Sequence, residues 1–444
     1  MSEVFVPTKF MSHTRTEDGD LILYCAMTGA IGTIPPDKAE MIRDALKRNA
    51  RHIAPLDGIM EDIKRGGFLI LEGTDELQIL RERYHEMMQD ESYLNLIILP
   101  TEECNFRCDY CYESFSRGKM RKEIREGIKK FIANQKHLKH LDISWFGGEP
   151  LLAPNIVIEL SQYFHEYCLE HHIELSADMT TNGSLLVPDV FEQIIQYGVR
   201  MFQITLDGVR EDHNKHRIAA NGGGTFDTIL SNLRYMKSTK HSFVVILRNN
   251  LDPESIEKLQ EFVNLMKIEF GGDPRFLMFF RTIGRWGGPN DKSLTICERS
   301  VDKVIMQANR AAIGAGFRVF ASTDLGPFHF VCYAAYPQSL VINPNGNIYK
   351  CTVELDKNER NIVGQIYPDG RMELDKDKLA LWAESNGMKE GRKCNSCFFA
   401  PACFGAACPK RWLDHNEYPC PPQKTRISDT LKMAEMQKNL PVPF

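Results

Sequence analysis

Short apolar runs recur along the middle of the chain, at Leu94–Leu99, Leu141–Phe146, Glu174–Met179, Met201–Leu206, Ser242–Leu247 and Arg275–Arg281. Their length and their β-branched and aromatic content read as strands. Between several of them the apolar positions shift to helical spacing, as in Phe191–Tyr197 and Thr228–Met236, and Ile124, Ile128, Phe131 and Ile132 mark a helix within 119–136. This alternation predicts an α/β fold with a parallel sheet over 91–325. Residues 1–90 have another texture. Leu21–Cys25 and Ala30–Ile34 flank a Thr28-Gly29 turn and predict a hairpin; helical patterns follow at Asp37–Lys47, Leu56–Lys64 and Glu76–Met88, with a strand at Phe68–Leu71.

Chemistry enters directly after the first central strand. TEECNFRCDYCYE, residues 101–113, places Cys104, Cys108 and Cys111 in the pattern C-x3-C-x2-C on a strand-to-helix loop. Such loops at the carboxyl ends of parallel strands are where α/β barrels keep their sites. Three thiolates can hold three irons of a [4Fe–4S] cube and leave the fourth iron open. On spacing alone, a zinc knuckle or scattered core thiols also fit.

Composition narrows the class. The chain is 43% hydrophobic and 25% charged, with a formal net charge of −5, which gives no reason to expect nucleic acid as partner. No run approaches the length that spans a membrane, and MSEVFVPTKF is no signal peptide. A cytoplasmic protein with 13 cysteines is expected to use them for metal or redox work instead of disulfides.

Residues 101–113, with Tyr110 before the last cysteine, resemble the cluster loop of radical S-adenosylmethionine (SAM) enzymes. Further segments match that family in order. Gly147, Gly148, Glu149 and Pro150 resemble its GGEP segment against the SAM methionine amine, and Thr180, Thr181, Asn182 and Gly183 resemble its TNG segment near the ribose. Asp207, in ITLDG, opens a stretch ending in Arg217, the residue the resemblance sets against the SAM carboxylate; Arg248 and Asn250 complete the set. The resemblance implies a partial (β/α)6 barrel over 91–325. Asp207 reads equally as an acid/base or a loop brace. His213 and His216 read as solvated side chains of a charged loop, and Arg281 and Arg285 as either surface charges or substrate contacts.

Seven of the cysteines fall within 332–420. C-x2-C alone also suits a zinc ribbon. Behind a radical SAM core the set resembles the SPASM extension, which implies two auxiliary [4Fe–4S] clusters over 326–444. Cys394, Cys397, Cys403 and Cys420 are assigned to one, and Cys332, Cys351 and Cys408 to the other, with distant Cys297 or an open iron completing it. FGAA between Cys403 and Cys408 is one residue longer than the family pattern and requires a bulge. Cys25, Cys168 and Cys297 otherwise read as core thiols.

Residues 1–90 resemble the winged-helix domain by which many maturases bind a leader peptide as an added strand. Together the parts resemble SPASM maturases of the sactipeptide and ranthipeptide type, which imply thioether formation on a precursor peptide and a reductant such as flavodoxin or ferredoxin. The alternatives are carbon–carbon or carbon–oxygen cross-linking, formylglycine formation on a sulfatase, or an iron–sulfur carrier or peptide-binding protein without SAM chemistry.

Overall fold

A computed structural model describes residues 2–297, 301–320, 323–355, 358–389 and 391–443. The chain divides into two units. One gathers Met1–Gln89, Ala321–Pro337 and Ala380–Lys438; the other gathers Asp90–Phe320, Gln338–Leu379 and Asn439–Phe444. The segment expected to form one C-terminal domain is therefore shared between them.

The first unit opens with β1 (Val4–Pro7), β2 (Met11–Arg15), β3 (Leu21–Cys25), β4 (Ile31–Ile34), β5 (His52–Ile53) and β6 (Leu69–Leu71). The predicted hairpin is β3 with β4, and β2 adds an antiparallel strand on its other side. The all-apolar β3 is fully buried because both sheet faces are covered. Sequence reading missed β1 and β2: β2, MSHTR, is a polar edge strand without an apolar face. The helix Glu76–Met88 falls where its pattern predicts, its N-terminus capped by Asp75, whose side chain accepts from Leu77 N and Gln78 N.

The second unit carries β7 (Tyr93–Ile98), β8 (His140–Trp145), β9 (Glu174–Thr181), β10 (Val199–Thr205), β11 (Val244–Leu251) and β12 (Phe276–Thr282). These are the six expected strands, paired in parallel and in chain order. Alternate side chains, such as Trp145, Met179, Phe202, Leu247 and Met278, are buried on the helix-covered face. The sheet does not end at β7. β13 (Ser339–Ile342) joins it in parallel, and β14 (Asn347–Tyr349), β15 (Ile362–Ile366) and β16 (Met372–Leu374) continue it as an antiparallel meander. Among the described residues no helix is long and apolar enough to cross a membrane.

Candidate active site

Beyond β7 the chain enters the cysteine loop, closed at its base by a bridge between Thr101 and Lys119. Its middle is stitched to residues 216–220: Arg107 N donates to Ile218 O (2.8 Å), Asp109 N to His216 O (3.1 Å) and Ala220 N to Asn105 O (2.7 Å). Cys104, Cys108 and Cys111 are partly buried free thiols. Burial pushes Cys104 up to about 11, Cys111 to about 12 and Cys108 upward as well. Metal binding has to displace those protons.

The turn after β8 packs on this loop through its glycines. A Cβ would lie 2.4 Å from Thr101 O at Gly147, and 2.3 Å from Glu102 O at Gly148. Only glycine allows that approach, and Gly147 also has φ +122°. Glu149, fully buried, turns its carboxylate inward. Oε1 accepts from Thr181 Oγ1 (2.7 Å) and Leu151 N (3.0 Å), and Oε2 from Asn182 N (2.7 Å). The carboxylate thus spends three of about four acceptor positions, two on the end of β9 and one on its own turn, where sequence reading assigned it to a ligand amine. Pro150 starts the short 3-10 turn that follows. Asn182 Nδ2 reaches Asn105 Oδ1 (2.8 Å), joining the TNG segment to the cysteine loop.

Asp207 is a brace. Its Oδ1 accepts from Asn250 N (2.8 Å), and its Oδ2 accepts from the Tyr110 hydroxyl. That hydroxyl also receives Arg217 Nη1 (2.7 Å) and Asn250 Nδ2 (3.2 Å), so one tyrosine gathers residues from three segments. Arg217 Nε is buried without a hydrogen-bond partner among the described residues.

Both histidines depart from expectation. Residues Arg210–His216 form a helix, and His213 and His216 are buried on its inner side. Asp207 N donates to His213 Nδ1 (3.2 Å), so Nε2 carries the proton toward Thr225 Oγ1 (3.0 Å), which donates to Arg217 O (2.6 Å). Burial, then the Arg217 and His216 charges, holds His213 well below the ordinary histidine value. His216 lies between Asp109 (2.7 Å) and Asp252 (3.4 Å), which raise it to about 10. Both are structural, one neutral and one cationic.

Arg248 Nε donates to Asn250 Oδ1 (2.9 Å). Arg285 is a loop brace, donating to Asp291 O (2.9 Å) and Leu294 O (3.3 Å). That loop seals one side of the cysteine segment: Asn290 Nδ2 donates to Asp109 O (3.1 Å), and a Cβ at Gly288 would lie 2.5 Å from Cys111 O. Sequence reading missed this contact, although Gly287-Gly288 after a strand signals a close backbone approach.

In the other unit, Cys394, Cys397, Cys403 and Cys420 line a single cavity of about 430 Å³ with Arg392, Lys393 and Lys424. Lys424 Nζ donates to Cys420 Sγ (3.2 Å). After Cys403 the chain turns through Phe404 (φ +49°) and Gly405 (φ +68°), both left-handed. Cys332 and Cys408 belong to this unit; Cys351 and Cys297 belong to the sheet unit. Cys25 and Cys168 are buried as expected, whereas Cys297 is only partly buried. No group of three His, Cys, Asp or Glu residues among those described is gathered closely enough for a single metal ion.

Soft thiol donors, three on one loop and four around one cavity, fit iron–sulfur clusters in kind and number. Residues 98–266 match the model of the radical SAM superfamily. That superfamily implies SAM and a [4Fe–4S] cluster for the matched region. It is similar to the cysteine-type anaerobic sulfatase-maturating enzyme of Clostridium novyi, with 26% identity over 209 residues, covering 45% of this chain and 54% of that one. It is also similar to the radical SAM cyclopropyl synthase TigE of Paramaledivibacter caminithermalis, with 22% identity over 207 residues, covering 42% of each. The chain spans about half the length of these curated relatives. Among solved structures, anSMEcpe with bound AdoMet has a TM-score of 0.57 at 17% identity, covering 77% of this chain and 93% of that one. Streptococcus suis SuiB bound to precursor peptide SuiA has a TM-score of 0.50 at 14% identity, covering 93% and 98%. At these identities the likeness is one of fold.

Proposed function

We propose that the protein is a radical SAM enzyme that cross-links a ribosomally made precursor peptide, forming thioether bonds from cysteine thiols to carbon atoms of acceptor residues. The observation that carries this reading is the distribution of thiols: three on the loop after β7, four around one cavity, and Cys332, Cys351 and Cys408 beyond. Cys332, Cys351 and Cys408 are three thiols where a [4Fe–4S] cube takes four, and a substrate cysteine would bring the fourth. The relatives named as a sulfatase-maturating enzyme and as SuiB bound to SuiA support a peptide or protein substrate.

Cys104, Cys108 and Cys111 would hold a [4Fe–4S] cluster, which when bound would supply the electron for reductive cleavage of SAM. The chain's own residues orient and enclose. Arg217, whose Nε has no hydrogen-bond partner among the described residues, would take the SAM carboxylate, with Tyr110 and Asp207 fixing the guanidinium. Gly147 and Gly148 keep backbone within reach of the loop, and Thr181 and Asn182, pinned by Glu149, shape the wall beside it. The loop carrying Asn290 covers the cysteine segment and limits water. Residues 1–90 are read as the leader-binding domain: β2 and β4 are the edge strands of a three-stranded sheet, neither paired with a further strand among the described residues. Residues 326–444 supply the auxiliary cluster ligands.

The test is anaerobic incubation of the reconstituted protein with SAM, dithionite and cysteine-containing peptides encoded beside its gene. Each thioether removes two hydrogen atoms and shields one cysteine from iodoacetamide. An aldehyde in place of the thiol, or a cross-link that leaves every cysteine alkylatable, overturns the thioether reading.

A further inference from the structure

Arg248 and Arg281 occupy one corner at the carboxyl ends of adjacent strands. On β12, Phe276, Met278 and Phe280 are buried toward the helices, which turns Phe279 and Arg281 to the opposite face. On β11, Val245 and Leu247 are fully buried, so Arg248 and Asn250 share that opposite face. The parallel register sets Arg248 beside Phe279 and Asn250 beside Arg281. This corner belongs to the site, since Asn250 donates to the Tyr110 hydroxyl.

The two charges there are uncompensated. Among the described residues Arg281 makes no hydrogen bond or ion pair; its guanidinium lies 5.0 Å from the Phe279 ring centroid. Arg248 spends one donor on Asn250 and has no ion pair among the described residues. By contrast, Arg275, at the other end of β12, pairs with Asp273 and donates to the carbonyls of Lys237, Thr239 and His241. Crowding by the surrounding protein, then the Arg248 charge, lowers the Arg281 pKa, although the side chain stays open to solvent. Neighbouring like charges repel, and an anion between them relieves the repulsion.

We propose that Arg248 and Arg281 form an anion subsite that takes a carboxylate of the peptide substrate, the side chain of an Asp or Glu next to the carbon that is modified. The proposal rests on the peptide-modifying reading above and adds the substrate's chemistry to it. SAM carries one carboxylate, and the proposed function assigns it to Arg217, whose Nε has no hydrogen-bond partner among the described residues. The planar forks suit a second carboxylate, with Phe279 as an apolar wall that strengthens the charge-assisted bonds.

The test uses the full reconstituted protein with SAM and no reductant, so that binding is read without turnover. Fluorescein-labelled, C-terminally amidated peptides carrying one Cys and one Asp are compared by anisotropy with the same peptides carrying Asn. The Asp peptide is expected to bind roughly tenfold tighter, the scale of one charge-assisted bond. Arg281→Gln is expected to erase the preference and Arg281→Lys to keep part of it. Equal binding of the two peptides, or no binding of either, overturns the proposal. So does a free-acid C-terminus that restores tight binding to the Asn peptide, or loss of SAM binding by equilibrium dialysis in Arg281→Gln, which assigns the pair to SAM. Failure of the thioether reading appears only in product mass, so the two failures are distinguishable.

Discussion

Gly148 has backbone on the side where a side chain would grow: a Cβ would lie 2.3 Å from Glu102 O and 2.4 Å from Glu103 O. Gly148→Ala therefore has to move either the turn after β8 or the cysteine loop. Reconstituted Gly148→Ala is expected to lose iron relative to wild type in a colorimetric assay. Gly314→Ala, where a Cβ meets nothing within 4 Å, is expected to keep it. His216 makes a pH-dependent contribution whose sign follows from its partners. Asp109 and Asp252 raise its pKa from 6.5 to about 10, so the stabilisation is fully present below about 6.5 and is lost as pH rises through about 10. His216→Asn should lower stability by about 2 kcal/mol at neutral pH, a value discounted because Asp109 is partly exposed. In urea titrations the gap between wild type and variant should close toward pH 10; a gap that is constant from pH 6 to 10 refutes the ion-pair account.

At the level of elements, the left-handed pair Phe404-Gly405 shows how a short turn positions a ligand. Tyr84, on the helix Glu76–Met88, stacks on Phe404 with centroids 3.6 Å apart and planes within 4°. That contact helps hold Phe404 in a conformation that side chains avoid. A Cβ at Gly405 would lie 2.5 Å from Gly387 Cα and 3.0 Å from Cys394 Sγ, in a residue with φ +68°. Gly405→Ala is expected to cost about 2 kcal/mol or more in thermal unfolding and to lower iron bound by the four-cysteine cavity. The left-handed turn at Phe404-Gly405 was not legible in the sequence, because the stacking partner Tyr84 is distant along the chain. A related contrast runs through the fold. β7 to β12 announce themselves locally as apolar runs, whereas β13, a four-residue SLVI segment, is tied to them through parallel pairing with Asn95–Ile98. Nonlocal pairing leaves little mark in a local pattern. The candidate cysteines, glycines and Arg217 stand out in the sequence because their chemistry is tied to residue type. The inward turn of Glu149 and the burial of His213 and His216 were not, because each depends on partners from other strands and loops.

Across the whole molecule the thiols fall into sets that can be counted separately. Three lie on the loop after β7, four line the cavity with Lys424, and Cys332, Cys351 and Cys408 complete the ten assigned as ligands. Three [4Fe–4S] centres require about twelve irons. Replacing Cys104, Cys108 and Cys111 by Ala should lower the count to about eight, and replacing Cys394, Cys397, Cys403 and Cys420 should do the same while leaving the first set in place. The two variants are not equivalent in chemistry. The loop variant should lose reductive SAM cleavage, because its thiols sit beside Arg217, Tyr110 and the glycine turn. The cavity variant removes ligands from the other unit and none from that surrounding. Iron and acid-labile sulfide together with 5′-deoxyadenosine yield on both variants separate the assignments. A wild type near four irons limits the protein to one cluster and removes the auxiliary sets. A loop variant that keeps its full count refutes the assignment on which the reaction depends.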